Sequence, residues 1–477
     1  MKYYSTRNYH LQVNSIDAII QGISKDGGLF LPNDYLKLDL AKHQNDTYQQ
    51  LAYHILSYYF DEFNDQELKQ AIKQAYSTFD CEDVTPLVKV NNNYILELWH
   101  GPTCAFKDIA LTLLPHLLSL AIKHKENAKD SLVLVATSGD TGKAALEGFK
   151  NVDRTKIMVF YPSDGVSETQ KLQMQTTTGN NVKVVAVKGN FDDCQQSVKQ
   201  AMTSPSLNAY LNDNNYTFSS ANSINIARLL PQVVYYFYAY FQLVKHNEIK
   251  INDKVNFCVP TGNFGNILAG YIASMMGLPI NKLIMAANTN NVLADFINTG
   301  TYDINRDFYK TYSPSMDIII SSNLERLLSL LINDDYTINN LQHSLKTTGT
   351  FTINNDILAK LQTSFIGGYC KDNETLETIA KVFNNDHYLL DPHTAVAYKV
   401  LMVNRDDKPS ITLATASPYK FEQAIKQALN ITDNIEKTTN TNRPLPLSNL
   451  KDKEILHDVT IEKEDIINYI KESIKSW

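Results

Sequence analysis

From about Leu132 onward the chain alternates short β-branched runs with amphipathic stretches: LVLVAT then KAALEGF, KIMVFYP then ETQKLQMQ, VKVVAVKG then FDDCQQSVKQAM. That rhythm predicts repeated βαβ units, and consecutive units with short connections predict mostly parallel sheets wrapped by helices. A second set follows, with VNFCVP before a helix from about Asn266, then KLIMAAN, and ITLATA near the end. The expected architecture is α/β, with two lobes facing each other across a cleft. In such sheets ligands sit at the carboxyl ends of the strands.

The first 85 or so residues read differently, with a helical stretch near Ser15 to Ile23, a GGLFLP turn and an aromatic-rich helix around Tyr48 to Phe60. They suggest an added N-terminal layer, giving approximate units of 1–90, a larger lobe from 91–130 with 230–477, and a smaller lobe at 131–229. The Asn/Asp-rich stretches Asn333 to Asn340 and Thr432 to Arg443 have loop character. Leu229 to Val244 is the most apolar run, but Pro231 and Gln232 interrupt it, so a buried helix is expected rather than a membrane span, which needs roughly 20 unbroken apolar residues.

Charge and cysteine usage narrow the function. The 477 residues carry a net charge of -7 with no Lys/Arg block, so nucleic acid is an unexpected partner. The five cysteines, Cys81, Cys104, Cys194, Cys258 and Cys370, never form the close pairs of zinc or redox motifs; reduced thiols and no metal are expected. The start shows no signal-peptide core, and a cytoplasmic location is the default expectation.

Three Gly-rich polar segments carry candidate chemistry. In HGPTCAFKD, Gly101 and Pro102 end an extended run, Thr103 is a possible cap, and Lys107 falls in the first turn of a helix. The helix dipole and burial both disfavour an ammonium there and favour the neutral amine, the form that condenses with an aldehyde cofactor. Taken alone, Lys107 also reads as a lysine snorkelling to solvent.

ATSGDTGKAA follows a strand directly, and Ser138, Gly139, Asp140 and Thr141 offer hydroxyls and backbone N–H groups at a helix start, suited to a carboxylate or phosphate. A tight strand-to-helix turn with a Ser or Thr cap has the same pattern. The glycine spacing is not that of a Walker A loop. The third segment, PTGNFGN, places Gly262, Asn263, Phe264, Gly265 and Asn266 at another strand-to-helix junction, a shape that cups phosphate without dinucleotide spacing. A reactive lysine with two anion-binding turns is more specific than any one of them.

With these segments the sequence resembles the threonine synthases, fold type II enzymes that use pyridoxal phosphate (PLP). The likeness runs from YSTRN and DGGLFLP through HGPTCAFKD, ATSGDTG, NSIN at Asn222, TGNFGN and SPSMDI to DPHTAVAY. It implies a lyase acting on phosphates that converts O-phospho-L-homoserine and water to L-threonine and phosphate by γ-elimination and β-addition. A threonine synthase-like phospho-lyase giving 2-oxobutyrate, or another β-replacing PLP enzyme, is the alternative. By position, the resemblance makes Lys107 the Schiff-base lysine and proton carrier, sets Phe106 near the ring, has Gly262 to Asn266 hold the cofactor phosphate, and has Thr415 meet the pyridine nitrogen. It assigns Ser138 to Thr141 to the substrate carboxylate, and Asn222, Ser223 and Arg228 to the substrate phosphate. A monomer or homodimer is implied. Cys104 stands where Leu or Met is common, and Ser417 where many relatives have His; Cys104 reads as a packed side chain. His393 is expected to be a hydrogen-bonded helix N-terminal residue, and Arg7 a candidate for the site mouth.

Overall fold

The computed structural model describes residues 1–477 apart from Ser138, Gly165, Ser167 and Asn449 and the side chains of Asp192 and Lys451. Two sheets organise it. The larger has six strands in the order Phe365–Tyr369, Ile280–Ala287, Val255–Pro260, Ser410–Ala414, Asn93–Glu97, Leu87–Val90. All its neighbours pair in parallel except the last hairpin. Val255–Pro260, Ser410–Ala414 and Asn93–Glu97 are buried along their whole length, as expected for strands covered by helices on both faces. The smaller sheet has five parallel strands, Thr460–Ile461, Val182–Val187, Thr155–Pro162, Asp130–Ala136 and Tyr216–Ser219 in that order.

The two lobes and their mostly parallel sheets are those the alternating pattern predicts. The chain's last residues, expected with the larger lobe, lie on the smaller one: Thr460–Ile461 extends its sheet, and the helix Ile466–Lys475 buries Ile466, Ile470 and Ile474 in its core. Those isoleucines recur every fourth residue and so form a single apolar stripe, which the smaller sheet covers.

The N-terminal layer contains a three-stranded sheet, Asn8–Asn14, Lys2–Ser5 and Phe30–Pro32, so GGLFLP runs from a turn into an edge strand. The helices Ser15–Gln21 and Tyr48–Tyr59 match their expected places. Asn333 to Asn340 is not a loop. Asn333 closes the helix Leu324–Ile332 in the left-handed conformation, and Asp334 accepts from Thr337 N at 2.9 Å to open the helix Asp335–Thr348. Asn and Asp are favoured at both kinds of helix end, so two abutting caps look like loop composition. Within 432–443 a short helix, Ile435–Thr439, also forms. The apolar run becomes the buried helix Pro231–Lys245.

Candidate active site

Three neighbouring strands of the larger sheet deliver the expected cofactor residues to one edge. Beyond Pro260 comes the Gly262–Asn266 turn, beyond Ala414 comes Thr415, and beyond Glu97 the chain returns beside the second of these. Leu98 N donates to Ala414 O at 2.9 Å, Phe106 N to Thr415 O at 2.8 Å, and Ser417 N to Cys104 O at 3.0 Å. This short ladder fixes Lys107, which sits immediately before the helix Asp108–Leu111. Thr103 does not cap that helix. Its N–H and hydroxyl instead donate to the Asp108 carboxyl at 2.8 and 2.6 Å.

Lys107 is half-buried by surface, yet its ammonium is enclosed by protein, and burial lowers its pKa from the ordinary value. Asp140 and Asp108 oppose the shift, while Lys420 and Arg228 reinforce it. Its Nζ donates to Ser315 Oγ at 3.2 Å and lies 5.7 Å from the Phe106 ring centre. Among the described residues it forms no ion pair. Ser315 N donates to Nε2 of His393 at 3.2 Å, which puts the ring proton on Nδ1, facing Asp391 Oδ1 at 2.8 Å. Asp391 also caps the helix Pro392–Val403. His393 is therefore both the expected helix-start residue and one hydrogen-bonded step behind the partner of Lys107.

In the Gly262–Asn266 turn Phe264 adopts φ 63°, an uncommon left-handed conformation for an aromatic residue. It opens the helix Gly265–Met275 without any side-chain cap, so the first-turn N–H groups lack an intrahelical partner. A Cβ on Gly262 would meet Ser315 O at 2.8 Å, so glycine is what lets the turn approach the partner of Lys107. Asn266 Oδ1 accepts from Tyr235 and Tyr236 at 2.5 and 3.0 Å, while its buried Nδ2 has no partner. The wholly buried Ser417 Oγ is also unpartnered. Buried polar groups seldom stay unsatisfied. An uncapped helix start, orphaned donors and an amine without a carboxylate fit a phosphate-bearing aldehyde cofactor.

Arg228 is buried, and burial lowers its pKa to about 10. Its Nη1 donates to Ala221 O at 2.7 Å, its Nε has no partner, and no carboxylate pairs with it among the described residues. A buried guanidinium in that condition is suited to an arriving dianion. Ser223, five residues before it, is linked to the Gly262–Asn266 turn by Asn323, whose Nδ2 donates to Ser223 O at 3.3 Å and Asn263 O at 3.1 Å. Arg326, wholly buried, steadies this junction: it donates to Phe30 O at 3.0 Å, to Asn323 Oδ1 at 2.6 Å and to Ile224 O at 2.6 Å. Asn222 is exposed.

The smaller lobe supplies the remaining loop. Ser138 lies outside the described residues. Thr137 Oγ1 accepts from Gly139 N and Gly142 N at 3.0 and 3.1 Å, shaping the turn before the helix Asp140–Phe149. Thr141 is half-buried. Asp140 points away from its own helix start to Lys420 Nζ at 2.9 Å and Gln170 Nε2 at 3.3 Å. Burial opposes ionisation of Asp140, but Lys420 and Lys107 hold its carboxyl well below the usual range.

Several of these groups were not singled out in the sequence. Ser315 lies in SPSMDI, one of the segments that carry the resemblance, so a signal existed; Lys420 lies just past the ITLATA run. Asn323 and Arg326 had none, since neither lies in a segment the sequence marks for chemistry. Arg7 forms a two-point ion pair with Glu325, at 3.0 and 2.8 Å, and is tied to that helix rather than to Lys107.

A lysine, a glycine-bearing strand-to-helix turn and a hydroxyl at neighbouring strand ends, facing a second lobe with its own strand-to-helix turn, are the arrangement of a PLP-dependent enzyme of fold type II. Comparison with known proteins agrees. The family described as "Pyridoxal-phosphate dependent enzyme" matches residues 78–411, flanked by "Threonine synthase N terminus" at 2–76 and "Threonine synthase, C-terminal" at 394–470. The chain is 40% identical to threonine synthase of Saccharomyces cerevisiae over 90% of its length and 89% of that protein. It is 41% identical to human threonine synthase-like 1 over 87% of its length, spanning 58% of that longer protein. A crystal structure of PLP-bound threonine synthase from Brucella melitensis superposes with a TM-score of 0.92 at 36% identity, covering 100% of this chain and 99% of that one. The chain belongs to the threonine synthase family, PLP-dependent lyases.

Proposed function

We propose that this site converts O-phospho-L-homoserine and water to L-threonine and phosphate, with Lys107 as the cofactor-linked lysine. The observation that carries the reading is Arg228, a buried guanidinium without a carboxylate among the described residues, whose charge bears on the Lys107 amine. When bound, PLP supplies an electron sink for negative charge developing at the substrate Cα. Gly262 to Asn266 would hold its phosphate, with Phe106 on the ring side and Thr415 supplying a hydroxyl for the ring nitrogen. The chain's own residues do the rest.

Arg228, with Asn222 and Ser223, takes the substrate's γ-phosphate and neutralises it as it departs. Gly139 to Thr141, with Ser138, receive the α-carboxylate. That two-point grip aligns Cα and Cβ with Lys107 Nζ. Lys107 is the group that moves protons, because burial favours its neutral form and Ser315 Oγ aims it. His393, fixed by Asp391, orients Ser315. The reading goes with a cytoplasmic monomer or homodimer acting on small molecules. Its support is five free thiols and, among the described residues, no helix long and apolar enough to cross a membrane.

The test is to incubate the PLP-loaded protein with O-phospho-L-homoserine and follow both products. Equal amounts of phosphate and threonine are expected, and borohydride reduction should fix the cofactor on Lys107. Formation of 2-oxobutyrate without threonine, or a label on another lysine, overturns the reading.

A further inference from the structure

The Gly139–Thr141 turn contains a contradiction. A loop meant for a carboxylate carries its own buried carboxylate, Asp140, in the first turn of the helix Asp140–Phe149. Left alone, that group would compete for the helix-start N–H groups or repel an incoming anion. It does neither, because the helix has no side-chain cap and the carboxylate is turned to Lys420 Nζ at 2.9 Å, with side-chain exposures of 1% for Lys420 and 3% for Asp140. Lys420 reaches across from the larger lobe, just beyond the strand Ser410–Ala414. The same ammonium donates to Thr103 O at 2.6 Å, and Thr103 in turn holds Asp108, the residue after Lys107. One cation thus joins the smaller lobe's anion turn to the larger lobe's lysine helix.

We propose that Lys420 is a positioning residue for substrate: by drawing off and neutralising Asp140 it leaves the Gly139–Thr141 turn able to receive the α-carboxylate, and it ties that turn to the Lys107 helix. This deepens the threonine synthase reading and rests on it. The charges around the pair are few. Asp140 faces Lys420, Lys107 and His393, and Lys420 also bears on Lys107 and Asp108. Removing Lys420 exposes a buried negative charge at the carboxylate subsite while leaving the Arg228 phosphate subsite intact. The two halves of substrate recognition should therefore separate.

The test uses PLP-loaded protein and two probes: L-threonine, which has the carboxylate and no phosphate, and inorganic phosphate. In Lys420→Met, calorimetric affinity for L-threonine should fall at least about tenfold while phosphate affinity stays within about twofold, because a like charge repels only the nearby anion. Adding Asp140→Asn to Lys420→Met should restore threonine affinity to within about threefold of the parent, since both charges are then gone. Unchanged threonine affinity in the single variant, an equal loss of both probes, or a double variant no better than the single overturns the proposal. If Lys420→Met alone does not fold, the neutral double variant carries the test, and failure to bind threonine there overturns it too. A parent protein that binds phosphate but not threonine, and forms no threonine from O-phospho-L-homoserine, defeats the functional reading and this inference with it.

Discussion

Asp108 and Asp140, both close enough to act on the Lys107 ammonium, titrate in opposite directions. Burial pushes the Asp108 carboxyl up to about 6 from 3.8, with the Thr103 hydrogen bonds opposing. Its protonated form is favoured in the fold, so its contribution to stability is complete below the unfolded value and is lost as pH rises through about 6. Asp140 is the reverse, stabilising above the ordinary carboxyl range and losing that contribution on acidification. Asp108→Asn is therefore expected to remove a declining component of about 3 kcal/mol between about pH 4 and pH 6. Urea denaturation midpoints across that range check it, and an unaltered pH slope would contradict it. At the substrate end, Arg228→Met should lower both kcat/KM and inorganic phosphate affinity by roughly thirtyfold or more, about 2 kcal/mol, with PLP loading retained. Equal phosphate affinity in parent and variant would exclude Arg228 from the phosphate subsite.

At the scale of elements, one crossing decides how the lobes meet. The helix Asp140–Phe149 passes so close to the helix Asp108–Leu111 that a Cβ on Gly148 would sit 1.9 Å from Leu111 O. Backbone cannot yield as a side chain does, so Gly148→Ala is expected to cost about 3 kcal/mol or more. Gly277→Ala meets no atom within 4 Å and differs in kind: its φ of 104° strains the backbone alone, which makes it a control for backbone cost without a clash. Thermal unfolding of the two variants separates these causes, and equal losses would refute the close approach. Elements were also where the sequence spoke most clearly. Period-two and period-3.6 patterns located the central strands of both sheets and the helices that follow several of them, because burial imposes them. Asn333 and Asp334 misled because the same residue types serve loops and caps. Lys107 and the Gly262–Asn266 turn stood out in the sequence as motifs and Arg228 only through the resemblance, whereas Asn323, Arg326 and the Asp140–Lys420 pairing did not stand out, since each depends on contacts between segments far apart in the chain.

For the whole molecule, order along the chain and order in space part company. The smaller lobe is closed by the chain's last helix, whose Ile470 is fully buried against it. Ile470→Ala should destabilise the protein by about 2–5 kcal/mol, as large-to-small changes in packed cores do. A loss under about 0.5 kcal/mol in denaturant titration, the range of surface changes, would show the helix to be an accessory. The opposite end is bound in just as firmly. Arg326 holds the carbonyl of Phe30 with one hand of its guanidinium and the carbonyl of Ile224, next to Ser223, with another. A fragment beginning at the larger lobe would leave that buried cation short of an acceptor behind the proposed substrate site. The N-terminal layer is thus no detachable cover, and a gene fusion or proteolytic nick that parts it from the lobes should cost substrate recognition before it costs cofactor binding.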